Sequence, residues 1–224
     1  MSEELAVPEE IPAMTLPGVV FFPKAMVPLR IFESRYRQML ADVMESHRMF
    51  ALLGLDENAA EDADAFEPPF KTASAGIVRV CKMNPDGTSN LLLQGISRIR
   101  VNDVIREEPY RMIKVEPLET IVDCDKSVIR LELAQLLEEN KHLGGDVTNE
   151  VLDFLKPLDD EGAYVDLVSF VLSMGTIRKQ RLLETLDLTE RASLLASHLK
   201  AENERLRLLK EALGDFSEDN FESN

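Results

Sequence analysis

The sequence predicts an α+β protein in which a β-rich part with one early helix precedes a helical part that ends in a long helix. Between residues 49 and 118, apolar residues form short runs of strand length, and turn residues separate these runs. From Lys126 onward, apolar residues recur at intervals of three and four, as they do on one face of a helix. The same helical spacing over residues 33–46 predicts the early helix.

Residues 16–44 contain two apolar runs followed by this early helical pattern. The first run, residues 19–22, is closed by Pro23, and the second run, residues 26–31, contains Pro28. Because proline has no amide donor, the extended segment can pair only as an edge strand or a bulge. We therefore predict a strand, a proline-bent arch and a helix over this segment.

The remaining β pattern predicts one hairpin and several further strands. Residues 76–83 and 90–94 flank a turn in which Pro85 sets φ and Gly87 supplies a positive φ. The acidic residues 56–69 have little to bury, so we predict an exposed loop there. The other predicted strands cover residues 49–55, 95–101, 104–105 and 110–118.

Helices follow, and their ends are marked by capping and breaking residues. The first ends at Gly144 and Gly145, and Asp146 is predicted to cap the next one. Asp187 and Glu190 resemble a capping box at the start of the last helix. That helix runs to residue 213, and its leucines recur at heptad spacing. We expect its first half to pack on the preceding helices and its second half to project. The alternative is that residues 187–213 form a homo-oligomer in which the projecting half pairs with a second copy.

These patterns divide the chain into four parts. We predict an acidic N-terminal tail over residues 1–12, a β subdomain over 13–122, a helical subdomain over 123–213 and an acidic C-terminal tail over 214–224.

Several of these segments resemble the N-terminal domain of Lon proteases. The resemblance covers the Leu-Pro, Val-Val-Phe-Phe-Pro and Pro-Leu elements of residues 16–44, the G-x-V…PDG-T…L-x-x-G-x-x-R-x-R spacing, and RKQRLLETLDLTERASLLASHLKAE. It implies a PUA-like fold, a small β-barrel-like sheet followed by a helical subdomain. It also implies a non-catalytic module that engages polypeptide substrates or works as an adaptor in proteolysis.

Charge and composition make some other classes of protein less favourable. The net charge of −16 repels the phosphates of nucleic acids and of anionic membranes. The 224 residues contain two cysteines, no secretory signal pattern and no apolar run of membrane-spanning length. We therefore predict a cytoplasmic protein in a reducing compartment.

No motif for cofactor-dependent or metal-dependent chemistry is present in the sequence. No glycine precedes a lysine, which excludes the G-x-x-x-x-G-K-[ST] loop, and the G-x-G-x-x-G fingerprint is missing. His47, His142 and His198 are scattered, and Cys81 lies within a strand pattern as a small apolar residue. We predict no enzymatic activity, no cofactor and no metal site.

The resemblance places a polypeptide-binding surface on the arch between strand and helix. The predicted contact residues are Phe22, Met26, Leu29 and Phe32. Exposed apolar side chains distinguish unfolded or misfolded polypeptides from folded ones, so we expect hydrophobic recognition.

Two alternatives stay open at this point. The first is an RNA-binding PUA-like module that uses a basic patch made of Arg98, Arg100, Arg106 and Arg111. The second is a hydrolase whose catalytic residues form no visible constellation in the sequence.

Overall fold

The structure, a computed structural model, describes residues 6–60, 67–122 and 126–218. As the sequence predicts, it is an α+β protein, with a mixed sheet of six strands among these residues. The strands are β1 (Glu10–Leu16), β2 (Met26–Ile31), β3 (Met49–Gly54), β4 (Thr72–Met83), β5 (Ser89–Arg106) and β6 (Met112–Leu118). The helices are α1 (Ser34–Glu45), α2 (Glu57–Ala60), α3 (Lys126–Leu143), α4 (Asn149–Leu155), α5 (Glu161–Val171), α6 (Thr176–Glu184) and α7 (Leu188–Glu218).

One long strand, β5, closes the sheet into a barrel. The strand order is β2-β5-β4-β3-β1-β6, and β5 pairs a further time with β6. Strands β5, β4, β3, β1 and β6 therefore form a closed ring, in which a strand has no free edge to protect. Strand β2 lies outside the ring, antiparallel to residues 89–94 of β5. Only β1 and β3 are parallel to each other among these pairs.

The 18 residues of β5 form one continuous strand. The sequence predicts three separate strands over residues 90–94, 95–101 and 104–105, and this division is wrong. Register shifts in the β4–β5 and β5–β6 ladders absorb the bends that the ring requires. A bulge lets a strand turn while it stays in its ladder, so no break is needed.

Mostly small and β-branched side chains fill the interior of the barrel. A ring of five strands encloses a narrow space, which large side chains at every position would overfill. The buried cluster consists of Ile11, Ala13, Met49, Ala51, Leu53, Ala73, Ala75, Ile77, Ile99, Ile113 and Val115.

Residues 19–22 do not form the predicted strand, although the last three of them are buried. Val20, Phe21 and Phe22 have almost no exposed surface, although no ladder includes them. The backbone here bonds to β5 at a single glycine: the Lys24 amide donates to the Gly95 carbonyl (2.9 Å), and the Gly95 amide donates to the Ala25 carbonyl (2.9 Å). An isolated apolar run is compatible with a strand or with other buried structure, which explains the wrong prediction.

Two segments predicted to be irregular contain regular structure. Strand β1 begins at Glu10, inside the predicted 1–12 tail, because Ile11 is buried in the barrel and pairs with Ile113. The predicted loop 56–69 contains the short helix α2, and its residues 61–66 lie outside the described residues.

The described residues form two compact units, and their division differs from the predicted one. The first unit holds the described residues of Met1–Thr120 together with Gly175–Leu186, which contains α6. The sequence assigns α6 to the helical subdomain, whereas hydrogen bonds attach it to the barrel. The Gln180 side chain donates to the Thr72 carbonyl (2.9 Å), and Arg98 Nε donates to the Leu183 carbonyl (3.0 Å).

The second unit, Ile121–Met174 with Asp187–Asn224, contains α3, α4, α5 and α7. Leu195 and Leu199 of α7 are buried, so the first half of this helix packs within the second unit. Leu208 and Leu209 are exposed further along α7. This helix continues to Glu218, into the predicted tail of residues 214–224, of which residues 219–224 lie outside the described part.

Side-chain caps fix where the helices of the second unit begin. Asp187 Oδ1 accepts from the Glu190 amide (2.8 Å) at the start of α7, as the sequence predicts. The sequence also predicts Asp146 as the cap of α4, but Thr148 has that role and accepts from the Val151 amide. Thr148 directly precedes the first helical residue, and a capping side chain must stand there to reach the free amides.

A buried ion pair joins α5 to α7. Arg191 Nε lies 3.3 Å from Asp166 Oδ1, and the two side chains are 0% and 4% exposed. Removal of one partner of a buried pair leaves the other charge in a poorly solvating environment. The pair therefore links α5 to α7, and its disruption should greatly lower the free energy of unfolding.

We expect Gly95→Ala to destabilise the first unit by about 1–3 kcal/mol, because a methyl group there must displace backbone atoms. A Cβ at residue 95 would lie 2.2 Å from the Phe22 carbonyl oxygen. Urea unfolding measures the loss, with Asn90→Ala at an exposed position of the same strand as the control. Equal stability of the two variants would contradict the close packing of residues 22–25 on β5.

Asp166→Asn is expected to lower the free energy of unfolding by about 3–5 kcal/mol, because the Arg191 charge loses its buried partner. Asp153→Asn, at an exposed position on α4, serves as the matched control and should change stability by less than about 0.5 kcal/mol. Guanidinium unfolding followed by circular dichroism compares the two. A small effect of Asp166→Asn would mean that the pair is not essential to the helical unit.

Candidate functional site

Outside the barrel, β2, the first half of β5 and the end of β4 form a three-stranded sheet with two distinct faces. Residues directly opposite each other on neighbouring antiparallel strands share a face, and successive residues alternate between faces. Leu29, Leu91 and Cys81 lie opposite one another and define what we call the inner face. Pro28, Leu92 and Val80 form the adjacent row and define the outer face.

Helix α1 and the β4–β5 hairpin border an open groove of about 710 Å³. This volume lies in the range of about 300–1,000 Å³ that is usual for ligand-binding clefts. The lining residues are Ser34, Arg37, Gln38, Leu40, Ala41, Met44 and Glu45 from α1, and Cys81, Met83, Gly87 and Ser89 from the hairpin.

The lining combines an apolar floor with a polar rim. Leu40 is buried, Met44 and Cys81 are half-buried, and Met83 is 76% exposed at the end of β4. An unbranched thioether side chain adapts its shape to different apolar partners. Met44 and Met83 therefore give the groove a surface that can accommodate varied side chains.

Charges of opposite sign stand on the α1 side of the groove. Arg37 and Glu45 are eight residues apart in the helix, which corresponds to about 12 Å along its axis. Gly87, with φ of 77°, brings the turn close to Arg37: a Cβ there would lie 2.0 Å from Arg37 Nη2. The positive φ and the close approach explain why a glycine occupies this turn position.

The turn itself is held by local hydrogen bonds. Asp86 Oδ1 accepts from the Thr88 hydroxyl (2.7 Å) and from the Thr88 amide (2.9 Å). These bonds, with a smaller contribution from the charge of Arg30, lower the pKa of the Asp86 carboxyl. The hairpin beside the groove therefore has a defined turn.

The four residues predicted to bind polypeptide do not form one surface. Phe22 is 0% exposed and offers no surface to a partner, because residues 19–22 pack inward. Met26 (45% exposed) lies on the outer face, whereas Leu29 lies on the inner face, since they are three residues apart in a strand. Phe32 is 63% exposed between β2 and α1, and none of the four lines the groove.

Met83 and Cys81, which do line the groove, were not predicted as binding residues. A signal for Met83 exists in the sequence, because it is an apolar residue directly before a polar turn. Such a position is usually exposed, and an exposed apolar side chain is a candidate contact.

The four arginines of the predicted RNA-binding patch are dispersed rather than exposed together. Arg98 and Arg111 are buried, and Arg111 Nη1 donates to Thr15 Oγ1 (2.6 Å) and to the Glu67 carbonyl (2.9 Å). Both arginines thus satisfy hydrogen-bond acceptors within the first unit.

The other two arginines have partners at the surface. Arg100 pairs with Glu116 at 2.7 Å, and the Arg106 guanidinium lies 5.1 Å from the centre of the Tyr110 ring. The structure therefore does not bring the four arginines together on one exposed surface, since two are buried and a third is paired with a carboxylate.

Within residues 6–60, 67–122 and 126–218, no group of three potential metal ligands is close enough to hold an ion. Over the same residues, none of the helices combines the length and the apolar character that a membrane crossing requires.

Comparison with known proteins finds similar sequences that match most of the chain. A sequence relative is the Lon protease of Desulfosudis oleivorans, which is 29% identical over 212 residues. That match covers 93% of this chain but 25% of the relative, so the chain spans about a quarter of the length of the curated relatives it matches.

Two solved structures share the fold. The N-terminal domain of the Mycobacterium avium complex Lon protease superposes with a TM-score of 0.63 at 15% identity, over 85% of this chain and 98% of that one. A Lon N-terminal domain protein from Xanthomonas campestris gives a TM-score of 0.60 at 18% identity, over 84% of this chain and 97% of that one.

Residues 10–201 match the family model described as the ATP-dependent protease La (LON) substrate-binding domain. This range includes both the barrel and the helices of the second unit, apart from the distal part of α7. The chain belongs to the Lon substrate-binding domain family.

Proposed function

We propose that this chain binds polypeptide segments with exposed apolar side chains, and that the groove between α1 and the β4–β5 hairpin receives those side chains. The observation that supports the proposal most is the apolar floor of the groove, which Leu40, Met44, Cys81 and Met83 form on a chain of this family. Burial of apolar surface is the main source of affinity for an unfolded segment.

The composition of the rim also favours binding over chemistry. Ser34, Ser89 and Cys81 are the hydroxyl and thiol groups among the described lining residues, and Arg37 and Glu45 are the charged residues that line the groove with them. A serine or cysteine nucleophile is usually activated by a histidine or a lysine, and neither type is among these described lining residues. We propose on this basis that the module holds polypeptide without cleaving it.

An adaptor role extends the same proposal. A module that holds an unfolded segment and also contacts a separate protease would deliver that segment for degradation. The family description as a substrate-binding domain supports a role in proteolysis for this chain.

We expect Met83→Gln and Met44→Gln each to weaken binding of an unfolded protein roughly tenfold, which corresponds to about 1.4 kcal/mol of lost apolar burial. The probe is fluorescently labelled, reduced and carboxymethylated α-lactalbumin, titrated by anisotropy. Glutamine is similar in size to methionine, so the substitutions remove apolar character with little change in volume.

Ile177→Gln provides the matched control, because Ile177 is 61% exposed on α6 and does not line the groove. This variant should bind as the unaltered chain does. Unchanged affinity of both methionine variants, or an equal loss in the control, would contradict the assignment of the groove. Thermal unfolding midpoints of all variants show whether folding is preserved.

A further inference from the structure

The outer face of the three-stranded sheet is a second surface, separate from the groove. Its central row consists of Pro28, Leu92 and Val80, which are directly opposite one another on β2, β5 and β4. Val80 is 59% exposed, and Met26 extends the apolar surface along β2. The row lies on the side of the sheet opposite to Cys81 and Leu91, so a ligand in the groove does not cover it.

Basic side chains flank this apolar row on both sides. Arg30 and Lys82 belong to the next row, on either side of Asn90, and both are exposed. On the other side, the bulge residue Arg79 donates to Gln94 Oε1 (2.6 Å), and Gln94 lies opposite Met26.

The face is therefore positively charged on a protein whose net charge is −16. The central row, the row of Arg30, Asn90 and Lys82, and the pair of Met26 and Gln94 contain no acidic residue. The whole chain, by contrast, has 41 acidic and 25 basic residues. Among the described residues, neither Arg30 nor Lys82 is within ion-pair distance of a carboxylate. The nearby acid of the hairpin, Asp86, is engaged by Thr88 in the turn.

We propose that the outer face docks a polypeptide segment that carries both carboxylates and aliphatic side chains. The carboxylates would pair with Arg30, Lys82 and Arg79, and the aliphatic side chains would cover Leu92 and Val80. Charge complementarity favours an acidic partner. The remainder of this chain repels acidic segments, whereas this basic face attracts them.

A nucleic acid fits the face less well, although it is also anionic. Single-stranded nucleic acids bind through aromatic side chains on which their bases stack. The apolar residues of the outer face, Met26, Pro28, Val80 and Leu92, include no aromatic ring. The net charge of the whole chain also opposes the approach of a phosphate backbone.

The test uses fluorescein-labelled peptides of alternating glutamate and leucine, the same peptide with lysine in place of glutamate, and an oligouridylate. The full chain should bind the glutamate peptide, and added salt should weaken that binding because it screens the charges. Arg30→Glu, Lys82→Glu and Val80→Asn should each weaken it roughly fivefold or more, since each removes a contact of the docked segment.

Arg178→Glu, an equal charge reversal at an exposed position of α6, should bind the glutamate peptide as the unaltered chain does. In the Met44→Gln background, Arg30→Glu should weaken binding of the glutamate peptide by the same factor as in the unaltered chain, because the outer face and the groove have separate contacts. Because all three altered outer-face residues are exposed, circular dichroism and thermal unfolding should show an intact fold.

Several results would overturn the proposal. These are no binding of the glutamate peptide, equal binding of the lysine peptide, an affinity of the Arg30→Glu and Lys82→Glu variants equal to that of the unaltered chain, or tighter binding of the oligouridylate. Loss of the Arg30→Glu effect in the Met44→Gln background would also overturn it, because the peptide would then occupy the groove.

Discussion

The length of β5 is the constraint on which the first unit depends. Its 18 residues pair with β4, with β6 and with β2, so one strand both closes the barrel and extends beyond it. The close approach of residues 22–25 at Gly95 fixes the point where the extension begins. The barrel half of β5 buries Ile99 among small side chains, and the extended half supports β2 and the end of β4. Both proposed binding surfaces therefore lie on this strand and its neighbours rather than on a loop.

This extension explains how one small sheet presents two chemically different faces. The inner face, with Cys81 and Met83, borders α1 and forms the floor of the groove. The outer face carries Val80 and Lys82, because neighbouring residues of a strand point to opposite sides. A bulge at residue 79 of β4 places Arg79 on the outer side, where it bonds to Gln94. Both proposed surfaces thus depend on the alternation of the same two strands, while their contacts are separate.

Local sequence signals predict much of the fold, whereas the site depends on contacts between distant residues. The Asp187 cap and the turn with Gly87 follow from short motifs and are correctly predicted. The burial of Arg98 does not, because its partner, the Leu183 carbonyl, lies 85 residues further along the chain. Likewise, the apolar run that contains Phe22 is compatible with a strand until its packing is known. The family resemblance identifies the arch but cannot distinguish which of its apolar side chains are exposed.

Cys81 reports directly on whether an unfolded polypeptide occupies the groove, because its half-buried thiol lines the floor. The measurement is the rate at which iodoacetamide alkylates Cys81, followed by peptide mass spectrometry with and without saturating carboxymethylated α-lactalbumin, which has no free thiol. We predict that the bound polypeptide slows alkylation of Cys81 markedly and that the Met83→Gln variant shows less protection. An alkylation rate that is the same with and without bound polypeptide would contradict the account.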